Sequence, residues 1–123
     1  VILEKEFSVS IINLGELVTI QILFLGMGSF PAGFLSECFG SHIVLLIYFG
    51  GLIISVVWLY FSTTFIMSAI GLGLLGFITG FYHPAGLKMV SHSPNVSRYM
   101  GYHGISGSLG LATGPIYGSF MAN

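Results

Sequence analysis

The chain has very little charge. Of its 123 residues, three are Lys or Arg and four are acidic. They are Glu4, Lys5, Glu6, Glu16, Glu37, Lys88 and Arg98. A soluble domain carries about 25% charged residues; here the share is 6%, with a mean hydropathy of +0.97. A soluble core inside a charged shell is excluded. Cysteine is scarce too. The single Cys38 excludes an internal disulfide framework and any multi-cysteine metal site. A formal net charge of -1 lacks the basic footprint that nucleic acid requires. Two acids and one base within residues 1–6 do not read as a secretory leader.

The few charges are informative by their spacing. Twenty uncharged positions separate Glu16 from Glu37, 50 separate Glu37 from Lys88, and the last 25 carry none. A membrane-crossing helix needs ~20 mostly apolar residues, and a charge at the bilayer centre costs roughly 2.5–3.5 kcal/mol. The three intervals therefore accommodate one, two and one spans. The expectation is an all-α integral membrane protein with spans at roughly 15–36, 42–62, 65–88 and 99–121. Glycine is abundant at 18 residues. It is costly in a soluble helix but serves close helix contact in a membrane. Residues 1–13 form a polar approach, and the chain opens on Val1 rather than Met, as expected of a fragment of something larger.

Small residues recur at helical spacing: Gly26, Ser29, Gly33 and Ser36 in the first span, and Ala69, Gly73, Gly76 and Gly80 in the third. Trp58 and Tyr60 sit where an interfacial aromatic belt is expected. Four spans place 1–14 and the 62–64 turn on one side. The 37–41 and 89–98 loops lie on the other. The second side has Lys88 and Arg98 against Lys5 on the first, so the positive-inside rule makes loops 37–41 and 89–98 cytoplasmic.

Three segments have the residue types for function. The first, Gly33-Phe34-Leu35-Ser36-Glu37-Cys38-Phe39-Gly40-Ser41-His42, flanks one carboxylate with glycines at the membrane edge. It reads equally as a tight interhelical turn with a solvated acid. The second is Gly101, Gly110, Gly114, Pro115 and Gly118, with three glycines stacked at i, i+4 and i+8 and a proline that removes a backbone hydrogen bond. Ordinary small-residue packing with a kink would look the same. The third is Tyr82-His83-Pro84-Ala85-Gly86. A His inside a span is a functional candidate by default, although a His bonded to a neighbouring helix or lying at the interface gives the same pattern.

Together these segments resemble the N-terminal half of a major facilitator superfamily transporter. Gly33, Leu35, Ser36, Glu37 and Gly40 are similar to the family's gating motif in the loop between helices 2 and 3. Gly101, Gly110, Gly114, Pro115 and Gly118 are similar to its helix 5 antiporter motif. The Tyr82–Gly86 run, with Gly101-Tyr102-His103-Gly104 and Gly107-Ser108-Leu109-Gly110, resembles the fosmidomycin-resistance-type branch. The resemblance implies helices 2 to 5 of a twelve-helix protein in the plasma or inner membrane. It also implies alternating-access transport of a small molecule, a drug or metabolite, by proton-coupled efflux. Tyr82 and His83 become candidate substrate or proton residues. The partners implied are the substrate, protons, lipid and the transporter's remaining helices; no cofactor or metal is expected. The departures are Glu37 in place of Asp, Cys38, Ser41 and His42 in place of bases, no charge near Leu72, and Ser119 where a further glycine often stands. Arg98 is the expected partner of Glu37 in a thinned cytoplasmic gate.

Two other classes have sequence features in their favour. A small four-helix structural or assembly membrane protein would match the chain's length. Gly104-Ile105-Ser106-Gly107 matches the GxSG of rhomboid-type proteases, but nucleophilic catalysis needs a base within reach. In rhomboids that His follows the Ser, and no His lies beyond His103. The four histidines are too far apart for a local ligand pair. The expectation is a protein that is not an enzyme.

Overall fold

The computed structural model describes residues 11–121; Glu4, Lys5 and Glu6 of the polar approach lie outside them. Four helices follow one another: α1 (Ile11–Phe39), α2 (Ser41–Tyr60), α3 (Phe65–Ser91) and α4 (Val96–Met121). The chain divides into two compact units, Val1–Lys88 and Met89–Asn123.

The helices overrun the apolar stretches. The expected 37–41 loop contracts to Gly40, and the 89–98 loop to residues 92–95. A helix need not stop where the bilayer does, because polar residues at the water boundary still gain from intrahelical hydrogen bonds. Glu37 is thus in the last turn of α1 rather than in a loop. Among the described residues, three helices, α1, α2 and α3, are long and apolar enough to cross a membrane. At ~1.5 Å per residue, the 26 residues of α4 span about 39 Å. Its interleaved Gly, Ser, Thr and Tyr leave it less apolar than the others.

Each short junction has a local cause. Gly40 has φ 85° and ψ 151°, a region essentially restricted to glycine. That conformation lets α2 begin one residue after α1 ends. At the next turn, Thr64 Oγ1 accepts the Met67 amide at 3.2 Å, the N-cap bond that starts α3. The Ser62 amide and hydroxyl both donate to the Leu59 carbonyl, at 3.1 and 2.8 Å, closing the end of α2. Trp58 Nε1 donates to the Met67 carbonyl at 3.0 Å and ties α2 to the start of α3.

Within the first unit α3 packs against both neighbours. A Cβ on Gly28 would strike the Phe77 carbonyl; one on Gly76 would strike that of Gln21, and one on Gly80 that of Leu25. Glycine hydrogens therefore face carbonyl oxygens in both directions across α1 and α3, a weak but recurrent helix–helix contact. The expected α3 stripe does face α1, with Gly73 against Ile20 and Phe24. The expected α1 stripe is displaced. Gly26 and Gly33 have nothing within 4 Å, and contact falls to Gly28, Ala32 and Ser36 at i, i+4, i+8. Spacing alone selected a stripe rotated about the helix from the one that packs. On the other flank a Cβ on Gly71 would meet Leu59 and Trp58, and one on Gly51 would meet Ile78.

The apolar core is small: Ala32, Val44, Phe81 and Ala85, with Leu35, Leu45, Tyr48 and Phe77 against it. The larger side chains point outward, Phe30 at 86% exposure and Leu46 at 72%. This inside-out distribution suits lipid rather than water.

Candidate functional site

Glu16 and Glu37 stand 21 positions apart on α1, about 31 Å along its axis and close to the ~30 Å hydrocarbon thickness. Their separation matches one hydrocarbon thickness. At the Glu37 end the first two helices and the end of α3 converge.

The end of α1 leaves its last four carbonyls without intrahelical partners. Ser36 carries one of them. Lys88 Nζ donates to the Ser36 carbonyl at 2.8 Å and stands 3.0 Å from Glu37 Oε1. One ammonium thus caps α1, sits at the negative end of its dipole and pairs with its terminal carboxylate. Glu37 is 76% exposed and Lys88 27%, and an exposed ion pair alone contributes about 0–1 kcal/mol. The cap makes the contact directional. Beneath it the buried hydroxyls of Ser36 and Ser41 bond to each other at 2.9 Å, bridging Gly40. Leu35 packs on the core, and Gly33 faces open space. Of the loop motif, Leu35, Ser36, Glu37 and Gly40 therefore have distinct structural work, and Gly33 has none within the described residues.

The sequence pairs Glu37 with Arg98. In the structure Lys88 meets the carboxylate, because the close packing of α3 on α1 delivers the last turn of α3 to that point. Within the second unit, Arg98 Nε donates to the Tyr102 hydroxyl at 3.0 Å, its guanidinium 5.6 Å from the ring centre. The cue to Lys88 was its place in the last turn of α3. It was missed because no linear spacing links it to Glu37.

Tyr82 and His83 lie on α3 five to six residues before Lys88, roughly 7–9 Å deeper along the helix. Both are exposed within the described residues. Their ring centres are 5.9 Å apart, and Tyr82 also stands 5.5 Å from Tyr48 of α2. Tyr82 is thus turned toward α2. In α4, Gly101, Gly110, Gly114 and Gly118 are exposed and Pro115 lies inside an unbroken helix. Among the described residues no three His, Cys, Asp or Glu side chains gather as a metal site. An apolar groove of about 450 Å³, lined by Ile20, Phe24, Phe65, Ile70, Gly73 and Phe77 among others, holds no titratable group.

A second polar link joins α1 and α3. Pro84 has no N–H to offer the Gly80 carbonyl four residues back. The Ser29 hydroxyl of α1 stands 3.2 Å from that oxygen and 3.0 Å from the Leu25 carbonyl of its own helix. The sequence contained the cue, a proline four residues after a glycine on the packed stripe. Nothing in the spacing names Ser29 as its partner.

Residues 1–123 match the family model of the major facilitator superfamily. The chain is also similar to a protein described as a multi-drug resistance efflux pump PmrA homolog from Lactococcus lactis subsp. lactis (strain IL1403). Identity is 35% over 97 residues, covering 73% of this chain and 23% of that relative. The chain thus spans about a quarter of the relative's length. No solved structure matches. A family match over the whole chain, on apolar helices with an inside-out exposure pattern, makes this multi-pass membrane chain a member of the major facilitator superfamily of transporters.

Proposed function

We propose that the chain forms helices 2 to 5 of a twelve-helix transporter that exports a drug or metabolite by proton-coupled alternating access. In its motifs the chain resembles the fosmidomycin-resistance-type branch. The observation behind this reading is the family match over residues 1–123. The efflux-pump description of the relative favours export of small molecules.

The geometry suggests how such a gate operates. Gly40 joins α1 to α2 without slack, so the two move together. Lys88 holds the end of α1 to α3 through the Ser36 carbonyl and the Glu37 carboxylate. Loops 37–41 and 89–98 are cytoplasmic in this reading, which makes the bridge part of the cytoplasmic gate. Arg98 serves as an alternate cation for Glu37 when the gate rearranges. A Glu37→Arg, Arg98→Glu swap that restores transport lost in each single variant supports that role; no restoration removes it. The helix 5 motif, Gly101, Gly110, Gly114, Pro115 and Gly118, provides a packing face for the remaining helices.

His83 is the proposed proton carrier, with Tyr82 beside it on the substrate path. Imidazole is the side-chain type whose charge changes between pH 5 and 8. In proteoliposomes of the full-length protein, His83→Ala is expected to flatten the pH dependence of transport while substrate still binds. An unchanged pH profile rules His83 out of coupling.

A further inference from the structure

We propose that α3 carries a built-in hinge at Gly80–Pro84, with the Ser29 hydroxyl of α1 as its fulcrum. Pro84 leaves the Gly80 carbonyl without its intrahelical donor, and in a bilayer such a carbonyl needs another partner. Ser29 stands within bonding distance of two acceptors, Gly80 O at 3.2 Å and Leu25 O at 3.0 Å. A hydroxyl has one proton to donate. The two bonds are therefore alternatives of similar length, and rotation about one side-chain bond exchanges them.

Two further observations make this site a pivot rather than a fixed clamp. A Cβ on Gly80 would run into the Leu25 carbonyl and lie 2.8 Å from the Ser29 amide nitrogen. The backbones therefore touch at the fulcrum and cannot slide freely past it. Eight residues on, about 12 Å along the helix, Lys88 holds the far end of the segment to Ser36 and Glu37. The 80–88 segment is thus held at its base by a bond with a ready alternative, along its length by Phe81 and Ala85 in the apolar core, and at its tip by the Lys88 bridge to Ser36 and Glu37. When the tip releases, the segment swings on Gly80. Ser29 shifts its proton to Leu25 as the Gly80 carbonyl moves away and returns it as the segment closes. Tyr82 and His83 ride on this lever.

Amide hydrogen exchange on the full-length protein in lipid nanodiscs, read over residues 81–88, tests the hinge with or without transport. Ser29→Ala is expected to speed exchange about threefold there, the effect of losing one interhelical hydrogen bond of average strength, and to leave residues 66–76 unchanged. Pro84→Ala returns an N–H to the Gly80 carbonyl, so in that background Ser29→Ala is expected to change nothing. Equal acceleration in both backgrounds overturns the hinge, because Ser29 then acts by packing alone. No acceleration in either background, or acceleration spread equally over 66–76, overturns it as well. Ser29→Cys, whose thiol is a weaker donor of similar shape, supplies the same comparison where Ser29→Ala does not fold. The readout is exchange, so a failed hinge and a failed transport reading are distinguishable.

Discussion

At the scale of single residues, neighbouring glycines have very different jobs. Gly76 has the Gln21 carbonyl where a side chain would go, and Gly26 has nothing within 4 Å. Gly76→Leu is expected to force α1 and α3 apart at a cost of roughly 1–3 kcal/mol or more, as overpacking does, whereas Gly26→Ala is expected to be tolerated. Thermal unfolding of the full-length protein in detergent, with both variants side by side, checks this. An equal Tm for the two contradicts the packing described. Gly40 is a backbone case: its positive φ makes Gly40→Ala costly by about 1–3 kcal/mol, although its Cβ would meet no atom. The sequence shows that glycines recur at helical spacing, but it does not tell a contact glycine from an idle one. That depends on rotation of α1 by a fraction of a turn, which periodicity of three and four leaves open.

At the scale of elements, the four helices and their order were legible, because the charge gaps match the bilayer's thickness. The junctions were less so. Glu37 sits within α1 because helix propagation continues past the apolar stretch, and only the φ of Gly40 ends it. The Lys88 bridge joins residues 51 positions apart and follows from packing, not from linear pattern. Its chemistry leads to an asymmetric prediction. Lys88→Ala removes both the cap on Ser36 and the partner of Glu37, whereas Glu37→Gln removes only the pair. Lys88→Ala is expected to reduce transport and stability more than Glu37→Gln. The charge swap Glu37→Lys, Lys88→Glu is expected to rescue only partly, because a carboxylate cannot donate to the Ser36 carbonyl. Full rescue would show that charge alone matters and that the cap does not.

At the scale of the whole molecule, the proposed orientation rests on three basic residues, Lys5, Lys88 and Arg98, counted by the positive-inside rule. Cys38 is exposed beside Glu37 and reports on that orientation. In a full-length variant whose other cysteines are replaced, a membrane-impermeant maleimide is expected to label Cys38 in inside-out vesicles and not in intact cells; the reverse inverts the topology. The family was legible in three motifs spread over the chain, and the family match bears it out. The coupling residues and the substrate are less legible, because in the proposed twelve-helix transporter the cavity is completed by helices beyond these four.

Proton-driven export is tested by solute flux under an imposed gradient. The full-length protein would be reconstituted into proteoliposomes with a pH gradient and no other energy source, and flux followed for a panel of hydrophobic amines and planar dyes. Movement of at least one of them against its concentration gradient, abolished by a protonophore, is expected. Flux that ignores the proton gradient, or no flux for any member of the panel by a folded and correctly inserted protein, would contradict it.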